Sequence, residues 1–355
     1  MSRRIKEAIL LSKELGSSDE SSEGSEEDED VQLSGLYVRY HVPLSKDFHS
    51  IYSLHFSPNG KQLAVGFGNG AIQIVNIETG ALKSALYSGH RTRQAVTAMS
   101  YHPLSNKLLV AAGADGIISI FDIESTNALS FSENGNEINA LDFCLDGSVY
   151  ATAGKDRHIR LYDSHTNEIL HILEGPDIMN NSDDLTLTSG HSRRIFALKF
   201  HPNEYHIFLT GGWDNSIKIW DKRMAKEARR VINGPHICGP SIDIKDNKVL
   251  TGSWVARNAL QLWDYRSAQL EKNIPFPARL FNGEFIYAAK FCNKNVVIAG
   301  GSGTYSACAV DYKTDKILGE VSLLNKTVQT LDVTRCGKLV AVAGVGGNLH
   351  IAELC

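Results

Sequence analysis

Few residues of this sequence have types and spacings that could do chemistry. His191 and Asp214 are the types of a general base and of a carboxylate that orients it. The glycine-rich run at 300–303 contains a serine but lacks the Gly-x-Ser-x-Gly spacing of a hydrolase nucleophile. The run at 66–70 is not followed by a helical pattern, which a phosphate-binding loop requires.

Metal-binding patterns are also missing from the sequence. The thirteen histidines include no His-Glu-x-x-His motif, and the six cysteines include no Cys-x-x-Cys pair. We therefore predict that the chain is not an enzyme and has no catalytic residue, metal or cofactor. An enzyme that uses a central channel is the alternative that these patterns leave open.

One strand pattern occurs seven times along the chain. Each copy begins with an apolar strand, and its third strand closes 19 or 20 residues after the centre of the first. The first-strand centres are Phe56, Tyr101, Phe143, Phe200, Ile244, Phe291 and Val333, and the closing residues are Val75, Phe121, Tyr162, Trp220, Trp263, Val310 and Ala352. Strands that alternate between apolar and polar residues and repeat about every 40–45 residues are typical of propeller blades.

Charge is concentrated near the start of the chain. Residues 18–30 hold eight acidic residues and no basic one, whereas the formal net charge of the whole chain is only -4. The remainder is close to neutral, so we expect no bulk attraction to nucleic acid or to acidic membranes. The sequence also lacks an apolar run long enough for a signal peptide or membrane span, and we expect a cytoplasmic or nuclear protein with reduced cysteines in its core.

The fourth copy of the pattern resembles the WD-repeat family. It reads Gly-His at 190–191, Phe-His-Pro at 200–202, Thr-Gly-Gly-Trp-Asp at 210–214 and Ile-Trp-Asp at 219–221. The resemblance covers about residues 36–355 and implies an all-β, seven-bladed WD-repeat β-propeller. It also implies that four residues form a structural hydrogen-bond network rather than a catalytic site: His191, Thr210, Asp214 and Trp220.

Other copies keep only parts of this network. The third has Thr152, Asp156 and Tyr162 but no Gly-His pair. The fifth has Thr251 and Trp263, with His236 as a candidate for the histidine.

The seventh copy ends at its third strand, so the ring needs a fourth strand from elsewhere. Residues 36–42 have the alternating side-chain pattern of a β-strand and are bounded by Gly35 and Pro43. We predict that they complete blade seven. Residues 17–35 have the composition of a disordered acidic tail, and residues 1–16 have the pattern of a short helix. Ser17 and Ser25 each precede an acidic residue by three positions, which resembles an acidophilic-kinase site; a solvated tail without regulation is the alternative.

A protein-protein scaffold or adaptor is the function that this fold class favours, with partners docked on one loop face and at the channel mouth. We predict a monomeric propeller within a larger complex, which binds proteins or peptides and neither membranes nor nucleic acid. The residues expected on the partner-binding face are Tyr52, Lys155, Arg194, Phe196, Trp213, Trp254, Arg257 and Tyr287. Their composition is that of an interface hot spot, although packing of Trp213 against Trp254 as blade filler would explain the tryptophans equally well.

A second function follows from two motifs of the form Trp-Asp-x-Arg, which end at Arg223 and Arg266. They resemble the motif of substrate receptors of cullin-RING ubiquitin ligases. The resemblance implies that these arginines contact a ligase adaptor, although the same ending also occurs in propellers without a ligase role.

Overall fold

The described part of the chain forms twenty-eight strands in seven four-stranded antiparallel sheets. The structure is a computed structural model that describes residues 35–44, 50–87, 89, 94–125, 127–175, 190–224, 227–277 and 283–355. Every regular element in these ranges is a strand. The predicted all-β, seven-bladed propeller is confirmed.

Six blades each use four consecutive strands of the chain. Blade one contains β2–β5, at Ile51–Phe56, Gln62–Phe67, Ile72–Asn76 and Leu82–Tyr87. Blade two contains β6–β9, at Val96–Tyr101, Leu108–Gly113, Ile117–Asp122 and Ala128–Ser132. Blade three contains β10–β13, at Ile138–Phe143, Val149–Gly154, Ile159–Asp163 and Ile169–Leu173. Blade four contains β14–β17, at Ile195–Phe200, Ile207–Gly212, Ser216–Asp221 and Arg230–Asn233.

The remaining blades complete the ring. Blade five contains β18–β21, at Ile242–Lys245, Lys248–Gly252, Leu260–Asp264 and Leu270–Asn273. Blade six contains β22–β25, at Ile286–Phe291, Val296–Gly301, Ser306–Asp311 and Lys316–Ser322. Blade seven joins β26–β28, at Val328–Val333, Leu339–Gly344 and Leu349–Leu354, to β1 at Leu36–His41.

The predicted closing strand is confirmed. β1 pairs antiparallel with β28, beginning with Leu36 opposite Leu354. The pairing extends beyond both strand ends, because Gly35 and Cys355 exchange two backbone hydrogen bonds of 3.2 and 3.0 Å and the Val42 amide donates to the Leu349 carbonyl at 2.9 Å. The last blade therefore takes strands from both ends of the described chain, which protects the edge of β28.

Polar side chains of the inner strands tie neighbouring blades together. The Asp332 carboxylate of blade seven accepts the backbone amide of Phe56 in blade one at 2.7 Å. Asp142 accepts the amide of Phe200 in the same way at 2.9 Å, and Asp243 accepts that of Phe291 at 2.8 Å. These charge-assisted bonds fix the relative position of adjacent inner strands around the channel.

The inner strands also share an irregularity that shapes one end of the channel. In six blades the pairing of the first and second strands skips the second residue of the first strand. The skipped residues are Tyr52, Thr97, Asn139, Phe196, Tyr287 and Gln329. β-Bulges redirect side chains in this way, and four of the skipped residues line the channel: Tyr52, Thr97, Asn139 and Phe196.

The expectation of core thiols concerned the five cysteines other than Cys355, and it is wrong for one of these five. Cys144, Cys292 and Cys308 are buried, and Cys238 is half-buried. Cys336 is exposed, because it lies in the turn between β26 and β27 rather than in a strand. The short helix predicted at 1–16 and all of the predicted tail at 17–35 except Gly35, with Ser17 and Ser25, lie outside the described residues, as do residues 176–189 between blades three and four.

Candidate functional site

Blade four joins its four signature residues in one hydrogen-bonded chain. Asp214 Oδ2 lies 2.8 Å from His191 Nδ1, and His191 Nε2 lies 2.7 Å from Thr210 Oγ1. The indole N–H of Trp220 donates to the same Thr210 oxygen at 2.7 Å. Burial lowers the pKa of His191, although Asp214 opposes this effect, so the neutral ring is favoured. With both ring nitrogens bonded and no exposure, His191 has no atom left for a substrate.

Blade three builds an equivalent network from a residue that sequence reasoning missed. The buried Glu133 carboxylate accepts hydrogen bonds from Thr152 at 2.5 Å and from Tyr162 at 2.9 Å, and it pairs with Arg160 at 3.0 Å. Arg160 also reaches Asp156 at 2.5 Å. Glu133 thus takes the place that histidine has in blade four. No histidine marks this site in the sequence. Only the presence of Thr152 and Tyr162 without a network histidine could have suggested that another residue takes its place.

Among the residues that the structure describes, the fifth blade keeps only one bond of the network. The Trp263 indole donates to Thr251 Oγ1 at 2.9 Å. His236 instead has its Nδ1 atom 2.6 Å from the Asn215 side chain of blade four. The candidate role of His236 in the blade-five network therefore does not match its observed partner.

Trp213 is held on the loop face by its neighbours in sequence and space. Its amide donates to the Arg194 carbonyl at 3.0 Å, a close approach that requires glycine at 212, since a Cβ there would lie 2.0 Å from that oxygen. Its ring packs on Phe196 at a centroid distance of 5.0 Å, and the Arg194 guanidinium lies 5.8 Å from the ring centroid. Trp213 is nevertheless 38% exposed.

Trp254 occupies the same position in blade five. Its amide donates to the His236 carbonyl at 2.8 Å, and its ring packs on Phe285 at 5.1 Å and on Tyr287 at 6.4 Å. Trp254 is 40% exposed. The alternative in which the two tryptophans pack against each other is not what the structure shows, because each packs on residues at the entrance of a first strand.

A short segment connects the two tryptophan clusters. The Trp213 indole donates to the sulfur of Cys238 at 3.1 Å, and the next residue, Gly239, lies against the Tyr287 carbonyl. We call the resulting surface the aromatic ridge, and it consists of Phe196, Trp213, Cys238, Trp254, Phe285 and Tyr287. Sequence reasoning missed Cys238 and Phe285, because their contacts cross between blades.

The other residues predicted on this face lie around the ridge. Lys155 and Arg194 both bond to the Glu137 carboxylate, Arg194 at 2.7 Å. Arg257 is exposed and makes no ion pair or side-chain hydrogen bond with a described residue. Tyr52 is 38% exposed and lies in blade one, where it lines a channel mouth of about 70 Å³ together with Phe196.

Arg223 and Arg266 lie at the opposite end of the blades. Trp213 precedes β16 and Arg223 follows it, so the strand separates the ridge from the Trp-Asp-x-Arg ending. Arg223 forms a two-pronged interaction with its own Asp221, with bonds of 2.9 and 2.7 Å, and its side chain is 61% exposed. The Arg266 side chain is exposed, and its carbonyl accepts a bond from Arg230.

Comparison with known proteins assigns the family. Three stretches, at residues 82–122, 126–163 and 183–221, match the model of the WD domain, G-beta repeat. The chain is a WD-repeat β-propeller. A further stretch, at residues 33–101, matches the model of the anaphase-promoting complex subunit 4 WD40 domain. The repeat at 82–122 begins with β5 of blade one and ends with β8 of blade two, so a sequence repeat is offset by one strand from a blade.

Three similar proteins have names that refer to the APC complex, to WD repeats or to the Polycomb group. The propeller is 23% identical over 236 residues to the Arabidopsis thaliana protein named cell division cycle 20.1, cofactor of APC complex, which covers 64% of this chain and 47% of that one. It is 22% identical to the Schizosaccharomyces pombe WD repeat-containing protein slp1, over 64% of this chain and 43% of that one. Its identity to the Zea mays Polycomb group protein FIE2 is 32%, over 34% and 30% of the two chains. The chain thus spans about half the length, or less, of these relatives.

Two kinds of feature are absent from the described residues. No helix there is long and apolar enough to cross a membrane. Within the same residues, no group of three or more histidine, cysteine or acidic side chains is arranged to hold a metal ion.

Proposed function

We propose that this propeller is a scaffold or adaptor that docks partner proteins on the aromatic ridge. The observation that carries the proposal is the pair of tryptophans, each about two-fifths exposed, in a continuous surface that spans blades four to six. Exposed tryptophan beside tyrosine and arginine is the composition of binding hot spots. Relatives named as cofactors of the APC complex support a role that is exercised through other proteins.

The cellular location and the oligomeric state are part of the same proposal. All six cysteines are free thiols, which suits the reducing cytoplasm or nucleus. The unit proposed to act there is a single propeller inside a larger assembly.

Affinity purification from cells tests the docking function. We expect the tagged wild-type chain to recover partner proteins that the double variant Trp213→Ser, Trp254→Ser loses. A matched control is Leu104→Ser, which changes a 73% exposed apolar residue in the turn between β6 and β7. Thermal unfolding verifies that the tryptophan variant is folded. The proposal is wrong if this folded variant recovers the same partners as the control.

A second candidate function is that of a substrate receptor in a cullin-RING ubiquitin ligase. It is favoured by the exposure of Arg223 and Arg266 at equivalent positions of neighbouring blades, away from the ridge. This arrangement would leave the ridge free for a substrate while the arginines contact an adaptor. The pairing of Arg223 with Asp221 means that an adaptor would have to accept or displace that ion pair.

The same purification separates the two candidates. Recovery of a cullin adaptor that disappears with Arg223→Ala and Arg266→Ala would support the ligase function. If wild-type protein recovers ridge-dependent partners without any cullin adaptor, the scaffold function stands alone.

A further inference from the structure

One polar edge of the ridge is already used within the protein. The indole N–H of Trp213 donates to Cys238, and the Trp254 ring lies 6.4 Å from the Tyr287 ring, centroid to centroid. Burial raises the pKa of Cys238, so its thiol stays neutral. What the ridge offers a partner is therefore the apolar faces of two large rings, which suit an apolar or aromatic anchor.

The carboxylates near the ridge already have hydrogen-bond or ion-pair partners within the protein. Glu284 accepts the backbone amides of Asn258 at 3.1 Å and Ala259 at 2.6 Å. Asp214 is bonded to His191 and to the amide of Ser192. Glu137, at the edge in blade three, is shared by a lysine and an arginine.

Two positive charges at the ridge, in contrast to the carboxylates, have no partner among the residues that the structure describes. Arg193 lies in the loop before β14 and Arg257 in the connection from β19 to β20, and both are exposed. Neither makes an ion pair or a side-chain hydrogen bond with any residue that the structure describes. Arg194, which is half-buried and close to the Trp213 ring, is instead paired with Glu137 at 2.7 Å. His236, which lies near Arg193, adds no charge at neutral pH, because burial and then that arginine lower its pKa.

Carboxylates that already have partners, beside two arginines that have no described partner, together indicate the chemistry of what the ridge binds. We propose that the aromatic ridge binds an extended acidic peptide, in which Asp or Glu side chains flank an apolar anchor residue; this rests on the docking function proposed above. The anchor packs on the tryptophan faces, and the flanking carboxylates pair with Arg193 and Arg257. A basic peptide would instead place its charges beside two arginines that have no described counter-charge.

Single-stranded nucleic acid is the competing occupant, since bases also stack on aromatic rings. It requires a positively charged groove that follows the backbone over several nucleotides. Here the positive charge is limited to a few arginines, and Glu137 and the exposed Glu174 lie on the same loop face. The observations therefore favour the peptide.

Selection from a random library identifies the preferred chemistry without knowledge of the natural partner. Twelve-residue peptides displayed on phage are selected on the full-length chain, after depletion on the Trp213→Ser, Trp254→Ser variant. We expect the selected peptides to carry acidic residues on both sides of an apolar or aromatic residue. Selection of basic or neutral peptides, or no enrichment at all, would overturn the proposal.

Charge reversal then tests the two arginines. Arg193→Glu with Arg257→Glu should weaken binding of a selected peptide at least tenfold, whereas Lys61→Glu with Lys338→Glu, at exposed positions on the opposite face, should leave it within about twofold. Unchanged affinity in the arginine variant contradicts the proposal, and so does an oligouridylate that binds more tightly than the peptide.

The two proposals can fail separately. If partner recovery from cells depends on the tryptophans but the selected peptides are not acidic, only the acidic preference is wrong. If no partner depends on the tryptophans, the docking function itself is wrong.

Discussion

Replacement of Glu133 by alanine should destabilise the propeller without touching the aromatic ridge. The carboxylate is bonded to Thr152, Tyr162 and Arg160, and the side chains of Glu133 and Arg160 are only 2% and 14% exposed. Removing one member of a buried ion pair typically costs about 3–5 kcal/mol, because the remaining charge loses its partner. We expect a value near 3 kcal/mol, the lower end of that range, since Arg160 keeps Asp156 as a second partner.

The loss should appear in thermal unfolding followed by circular dichroism. An unfolding entropy of about 2.1 cal/mol/K per residue makes 3 kcal/mol equivalent to a decrease of roughly 5 °C in Tm for a domain of this size. Glu133→Gln should lose less, because the amide keeps one acceptor oxygen. Glu168→Ala, at an exposed position of the same blade, is the control and should change the free energy of unfolding by less than about 0.5 kcal/mol.

A double-mutant cycle with Tyr162→Phe adds a test of the network itself. The phenol donates directly to Glu133, so the two losses should not add. If Glu133→Ala costs no more than the control, or if the two changes add fully, the assignment of Glu133 to the place of the network histidine is refuted.

Three further outcomes follow from the structure. Removal of residues 36–42 should lower the Tm of the whole ring, because it exposes the edge of β28, and an unchanged Tm would contradict the closure. Burial lowers the pKa of His191, so just below pH 6.5 the unfolded state binds more protons than the folded state. The free energy of unfolding should therefore reach its full value above that pH and decrease on acidification. Urea unfolding at several pH values should show this decrease, and the decrease should be less steep for His191→Gln. In native protein treated with iodoacetamide, mass spectrometry should find Cys336 and Cys355 modified first and Cys292 protected, because burial raises the pKa of Cys292 to about 12; rapid modification of Cys292 would show that its blade opens.

The repeating elements of the fold could be predicted because they follow from local patterns. The 19- or 20-residue separation within each copy reflects a hairpin of two strands followed by a third, and the missing strand of the last copy implies a donor at 36–42. The network of blade four could be identified because its four residue types are all present. The closing strand has a plain alternating pattern between Gly35 and Pro43.

The parts that could not be predicted depend on contacts between distant positions. Glu133 replaces a histidine with a different residue type, so a motif could not locate it. The position of Cys238 between Trp213 and Tyr287 depends on how three blades meet, which no local pattern encodes. The bulge that directs residues such as Phe196 to the channel mouth also depends on strand register.

Hydrogen exchange of the full chain with and without its recovered partner tests the docking of partners on the aromatic ridge most directly. Docking there predicts slower amide exchange in the loops at 213–215 and 253–259, and unchanged exchange in the turns at 102–107 and 222–224 on the opposite face. Protection confined to the opposite face would contradict the account.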